Sequence, residues 1–130
     1  MDAIYGPTGA VVGWLAEFDR VYGLAGTVTG WIDPPVDDDG ARPVYSLRGR
    51  HVGWLTHGLF WDHSGCAVAF LVGASGGPPK PERQLYPVQP VAHLAPARPA
   101  GESPKPPAPR RPQWSTSSFM DLLTRSQPVA

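Results

Sequence analysis

The chain has 130 residues, 17 of them proline and 15 glycine, with one cysteine and 11 basic residues balanced by 11 acidic ones. That length has room for one domain; the lone Cys66 excludes an intramolecular disulfide, and the longest apolar stretch, Cys66 to Val72, is far too short to span a bilayer. No basic-then-apolar N-terminal segment suggests secretion, so a soluble, cytoplasmic protein is expected.

From the N-terminus, one pattern occurs four times: an aromatic, three residues, Gly, two residues, Val or Thr, Gly or Ala, Trp or Phe, then Leu or Ile. The copies run Tyr5…Gly9…Val12-Gly13-Trp14-Leu15, Tyr22…Gly26…Thr29-Gly30-Trp31-Ile32, Tyr45…Gly49…Val52-Gly53-Trp54-Leu55 and Trp61…Gly65…Val68-Ala69-Phe70-Leu71. An apolar residue precedes each leading aromatic: Ile4, Val21, Val44 and Phe60. Repetition at this period governs the fold and is read before anything else.

The three residues after each leading aromatic suit a type I turn, with Asp62 and Ser46 at its first position, Pro7 at its second and the four glycines at its fourth. A short run rich in Val, Trp and Leu follows and reads as a strand. Each copy is therefore a small β-hairpin with its turn glycine in a left-handed conformation beside a bulge. Strand alternation places Val12 with Trp14 on one face and Gly13 with Leu15 on the other, and likewise Thr29 with Trp31, Val52 with Trp54 and Val68 with Phe70. The ring positions Tyr5, Trp14, Tyr22, Trp31, Tyr45, Trp54, Trp61 and Phe70 are the expected core of the repeat, packed inward. A small residue recurs at Gly13, Gly30, Gly53 and Ala69, which marks a crowded position, either at a central axis or beneath a neighbouring ring.

Turn glycines are 17, 23 and 16 residues apart. The long interval holds Asp33 to Gly40, turn formers and acids that read as a solvated loop between the second and third hairpins. From about Gly73 the composition changes. Thirteen of the 17 prolines lie from Pro78 onward, so this segment favours extended or disordered conformations. Residues 1–75 carry four Arg against eight acids, whereas residues 76–130 carry seven Lys/Arg against three acids. Head and tail attract, though exposed pairs are individually weak and screened by salt.

Within the tail, Pro106, Pro109 and Arg111 fit the Pro-x-x-Pro-x-Arg form read by SH3-like grooves. Apolar groups return at Trp114. With Ser118 as N-cap, Phe119, Leu122 and Leu123 share one helical face. So short a helix is unstable alone and folds only on a surface, either the head or another protein. The organisation expected is a four-hairpin domain over 1–75, a proline-rich linker over 76–113 and a C-terminal apolar motif over 114–130.

His57, Asp62, His63 and Cys66 cluster around the fourth hairpin, yet structural zinc sites pair their ligands at tighter spacings. Asp62 and His63 fall in the turn, where Asp caps its own backbone. A Cys–His nucleophile needs an oriented base and an oxyanion site, and nothing marks either. Gly73 to Gly77 lacks the Lys-Ser/Thr of a phosphate loop. No metal or cofactor is expected.

With its four hairpins and the Gly73-Ala74-Ser75-Gly76-Gly77-Pro78-Pro79-Lys80-Pro81 junction, the chain resembles the 4-fold beta-flower family. It departs from the repeat in the acidic insertion at 33–42 and in Trp61 and Phe70, which replace Tyr and Trp. The resemblance implies an all-β fold, four petals about a pseudo-four-fold axis as a flower or small barrel, and implies no activity. A weaker likeness is to the WG-repeat β-solenoids, whose repeat is longer. The expected function is a non-enzymatic binding or assembly module: a largely disordered proline-rich tail tethers Trp114, Phe119, Leu122 and Leu123 toward another protein or a second copy. Membranes and nucleic acid are not expected partners. The alternative is a small-ligand-binding or hydrolytic domain using a cleft at the flower's axis.

Overall fold

Eight strands alternate with turns in the computed structural model, which describes residues 1–17, 19–85 and 88–125. They are β1 (Asp2–Tyr5), β2 (Val11–Ala16), β3 (Arg20–Tyr22), β4 (Val28–Ile32), β5 (Arg42–Ser46), β6 (His51–Thr56), β7 (Leu59–Trp61) and β8 (Ala67–Phe70), followed by one helix, α1 (Phe119–Arg125). The strands pair in chain order as a closed antiparallel barrel. The closing seam is thin: β8 meets β1 only at Tyr5 and Phe70.

Each hairpin forms for the reason its sequence supplies. Gly9, Gly26, Gly49 and Gly65 donate their N–H to the carbonyls of Gly6, Gly23, Ser46 and Asp62 at 3.0–3.2 Å. Their φ angles of +87°, +90°, +89° and +88° lie where only glycine is comfortable. A bulge follows at the same place in every copy: the partner of Tyr5 is Val11, of Tyr22 is Val28, of Tyr45 is His51 and of Trp61 is Ala67. In the fourth turn the Asp62 carboxylate accepts from the backbone N–H groups of Ser64 and Cys66 at 2.9 and 3.0 Å.

That bulge corrects the expected faces. Two residues stand opposite one, so alternation slips by a residue. Val11 and Val28 therefore join the ring face with Trp14 and Trp31. Val12, Val52 and Val68 belong instead to the aliphatic face with Leu15, Leu55 and Ala69.

The expectation that the rings pack inward is also corrected. Ile4, Val21, Val44, Phe60, Leu15, Ile32 and Leu55 form one cluster with Phe119 and Leu123 of α1. Ring stacking joins Phe119 to Phe60 of β7 at 4.6 Å, while Met120 and Leu123 reach Gly13 of β2 and Gly30 of β4. A helix that meets β2, β4 and β7 of a closed ring lies on its axis. All eight repeat rings are buried in a second cluster on the outer face. An eight-stranded lumen is just wide enough to be filled by side chains; aliphatic groups and one helix face occupy it, and the rings turn outward.

The recurring small residue is explained at the same point. A Cβ at Gly53 would stand 1.9 Å from the carbonyl oxygen of Trp61, at Gly30 2.6 Å from that of Tyr45, and at Gly13 2.9 Å from that of Tyr22. Neither of the two reasons considered for crowding comes first: the nearest atom in each case is the next strand's backbone carbonyl. The axial helix is the next neighbour at Gly13 and Gly30, through Met120 and Leu123, but not at Gly53.

Candidate functional site

Among its described residues the proline-rich segment has no regular secondary structure, in keeping with its composition, but those residues lie against the barrel rather than forming a free linker. It straps the barrel, meeting every hairpin turn in succession. The N–H groups of Gln84, His93, Glu102 and Arg111 donate to the carbonyls of Gly9, Gly26, Gly49 and Gly65 at 2.9, 2.8, 2.9 and 2.8 Å. These anchors are nine residues apart, matching one span of strap to one petal. The carbonyl oxygens of Glu82, Val91, Ala100 and Pro109 lie 2.1–2.6 Å from where a Cβ on those turn glycines would stand. Bare turn backbone thus lets the strap approach. The nine-residue spacing of Pro81, Pro90 and Pro99 was the signal available in the sequence.

Strap arginines seal the rings. The Arg83 guanidinium lies 5.8 Å from the centre of Tyr5, and that of Arg110 lies 5.6 Å from Trp61. Arg98 lies over both Trp31 and Tyr45, at 5.8 and 5.6 Å, and is paired with Asp33. Such cation–ring contacts contribute about 0.5–2 kcal/mol each, depending on desolvation. Arg110 also pairs with Asp39 at 2.7 Å and donates to the Thr56 hydroxyl at 3.1 Å. The acidic insertion, expected as a solvated loop, is therefore where the strap's positive charge is received. Hydrogen bonds from Arg110 and then His57 hold the Asp39 carboxyl below its usual range.

The C-terminal motif is used by the molecule's own barrel. The Asp121 N–H donates to the Ser118 hydroxyl at 3.1 Å, as an N-cap requires. Phe119 and Leu123 are 1% and 0% exposed, while Leu122 is half-buried. Trp114 bridges β8 in parallel at Ala67, and its ring stands 6.0 Å from Phe70. The axial cleft envisaged for a ligand is filled by α1, because that helix has a matching apolar face. In the Pro-x-x-Pro-x-Arg stretch, Pro106 is exposed, but the Pro109 carbonyl and the Arg111 N–H are both committed to Gly65.

The residues grouped in sequence around the fourth hairpin separate in space. His57 pairs with Asp39 at 3.1 Å, and buried Cys66 accepts from the Gln113 amide at 3.4 Å rather than facing a histidine. Among the described residues no group of three or more His, Cys, Asp or Glu could hold a metal ion. None of the described helices is long and apolar enough to cross a membrane.

His63 instead meets a residue that sequence reasoning missed. Its Nε2 lies 2.9 Å from Nδ1 of His51. The same Nδ1 accepts the backbone N–H of Lys105 at 3.2 Å, while the His51 N–H donates to the Glu102 carboxylate at 2.7 Å. The His51 ring is 2% exposed, edge-on to Tyr45 and Trp54 at 5.5 and 5.0 Å. Burial and then the neighbouring His63 push its pKa down to about 4. Burial and then Lys105 lower that of His63. The clue was a histidine at the bulge position where the other copies carry Val11, Val28 and Ala67.

Open space remains at the closing seam, where a cavity of about 370 Å³ is bordered by Asp2, Ala3, Tyr5, Val72 and Gln89. A smaller one, about 210 Å³, lies between Thr56, His57, Trp61, Gly77 and Arg110.

No curated protein and no solved structure matches the chain. A family model does match, that of the 4-fold beta flower protein, over residues 2–123. The match starts at β1 and ends inside α1, so barrel, strap and axial helix are its content together. The chain belongs to the 4-fold beta flower family.

Proposed function

We propose that the chain is a non-enzymatic binding and assembly module of the cytoplasm. Its barrel is a receptor for one short apolar helix, and its strap is the tether that delivers that helix to its own barrel, a second copy's or another protein. The observation that supports this reading is α1 on the barrel axis. A seven-residue helix cannot stand alone, so its burial at Phe119 and Leu123 depends on the receiving surface. The tether meets each petal through the same backbone hydrogen bond at the turn glycine, with arginines laid over the rings, contacts that exchange of an identical element between protomers would remake in kind.

Two populations of full-length protein carrying donor and acceptor dyes near the C-terminus test this. Mixing gives energy transfer that grows with concentration, accompanied by a dimer in light scattering, and Leu123→Asp abolishes both. Full-length and Leu123→Asp proteins used as baits also retrieve different partners from lysate. A folded monomer at every concentration, with no transfer and identical partner sets for the two baits, overturns the reading.

A further inference from the structure

The third anchor of the strap differs from the other three in being bonded to an ionisable ring. The His51 Nδ1 accepts from the Lys105 N–H at 3.2 Å and lies 2.9 Å from Nε2 of the His63 ring. A ring nitrogen that accepts a backbone N–H carries no proton, so His51 is the neutral tautomer protonated at Nε2, and His63 Nε2 is then the donor between the two rings. That nitrogen of His51 is itself buried, and a backbone hydrogen bond with Gly53 is the contact that most favours a charged ring. A proton added at Nδ1 would point at the Lys105 N–H, and that bond would be lost, whereas His63 Nε2 can turn acceptor once its own proton moves to Nδ1. The imidazolium, at a residue 2% exposed, would lie edge-on between Tyr45 and Trp54, where burial disfavours its charge.

We infer that the His51–His63 pair is a pH-operated latch: protonation of His51 frees strap residues 102–105 from the third petal and loosens the tether upstream of α1. The charged and titratable groups facing the pair come from three sides. Glu102 and Lys105 come from the strap, Asp62 from the turn before β8, and Tyr45 from β5. Glu102 favours the imidazolium, while Lys105 and His63 oppose it. The other anchors have no such group: the residues equivalent to His51 are Val11, Val28 and Ala67. Copies of the repeat thus hold the strap without a histidine at the bulge position, so the ring is not needed to shape the petal.

The direction follows from linkage. The folded pKa of His51 is depressed to about 4, so the unfolded or released state binds the proton more tightly. The latch is closed above about pH 6.5, the ordinary histidine value, and opens progressively as pH falls toward about 4.

Amide hydrogen exchange followed by NMR on the full chain tests this, with the Glu102 N–H reporting the third anchor and the Gln84 and Arg111 N–H groups reporting the first and fourth. After correction for intrinsic exchange, Glu102 protection falls by about tenfold or more between about pH 7 and about pH 4.5 while the other two hold. His51→Val, which installs the residue found in the first two copies, flattens the profile of Glu102. Glu102→Gln, which keeps an acceptor for the His51 N–H but has no carboxyl to titrate, leaves the response in place. A response that survives His51→Val, one that vanishes in Glu102→Gln, or one shared equally by all three anchors overturns the inference, as does constant protection to about pH 4.5.

Discussion

Crowding at single residues decides where the chain admits a side chain at all. Gly65 and Gly73 share a left-handed backbone, with φ of +88° and +83°. A Cβ on Gly73 would meet nothing within 4 Å, whereas one on Gly65 would stand 2.1 Å from the Pro109 carbonyl oxygen. Gly73→Ala therefore costs only the conformational penalty, about 1–2 kcal/mol. Gly65→Ala adds displacement of the strap and costs about 3 kcal/mol or more in urea unfolding. Equal midpoints for the two variants would show that the strap exerts no pressure on the turn. At this scale the turn glycines and the capping role of Asp62 were legible, because their reasons are local. His51 was not. Its neighbours His63 and Lys105 come from 12 and 54 residues away, and only comparison of the copies at the bulge position singles it out.

Among the elements, α1 shows how far a pattern can be read. Ser118 as cap, with Phe119, Leu122 and Leu123 on one face, specified a helix, and the cap and face are as expected. An apolar face states that it is covered but not by what, so the barrel as its destination was not legible. The strap was obscured for another reason: proline-rich composition argues against regular structure, and a nine-residue period becomes meaningful only once four turns stand in a ring to receive it. The energetic expectation for α1 is direct. Leu123 is fully buried and Leu122 half-buried. Leu123→Ala should cost about 2–5 kcal/mol, and Leu122→Ala less than about 1.5 kcal/mol. Chemical unfolding read through near-UV circular dichroism of the indoles checks both, and similar losses would place the helix elsewhere than on the axis.

For the molecule as a whole, zero net charge conceals a division that the fold uses. The acidic head and basic tail meet at Asp33 with Arg98 and at Asp39 with Arg110, each cation also covering rings. Partly exposed ion pairs contribute about 0–1 kcal/mol each and weaken with salt, while the ring contacts persist. Arg98→Ala should therefore cost about 1–2 kcal/mol at low ionic strength. Thermal melts at about 0.05 M and about 1 M salt should show only part of that loss vanishing. Complete loss of the difference at high salt would mean that Arg98 acts through Asp33 alone.

Wrapping by a C-terminal segment has a consequence for biosynthesis. Translation delivers β1 to β8 well before the strap and the axial helix exist, so the nascent barrel emerges with eight aromatic side chains bare and its lumen unfilled. Closure waits for the strap, whose first anchor is Gln84, and for α1. Until then the growing chain displays the sticky surface that chaperones recognise, and a ribosome stalled near codon 80 would leave it in that state.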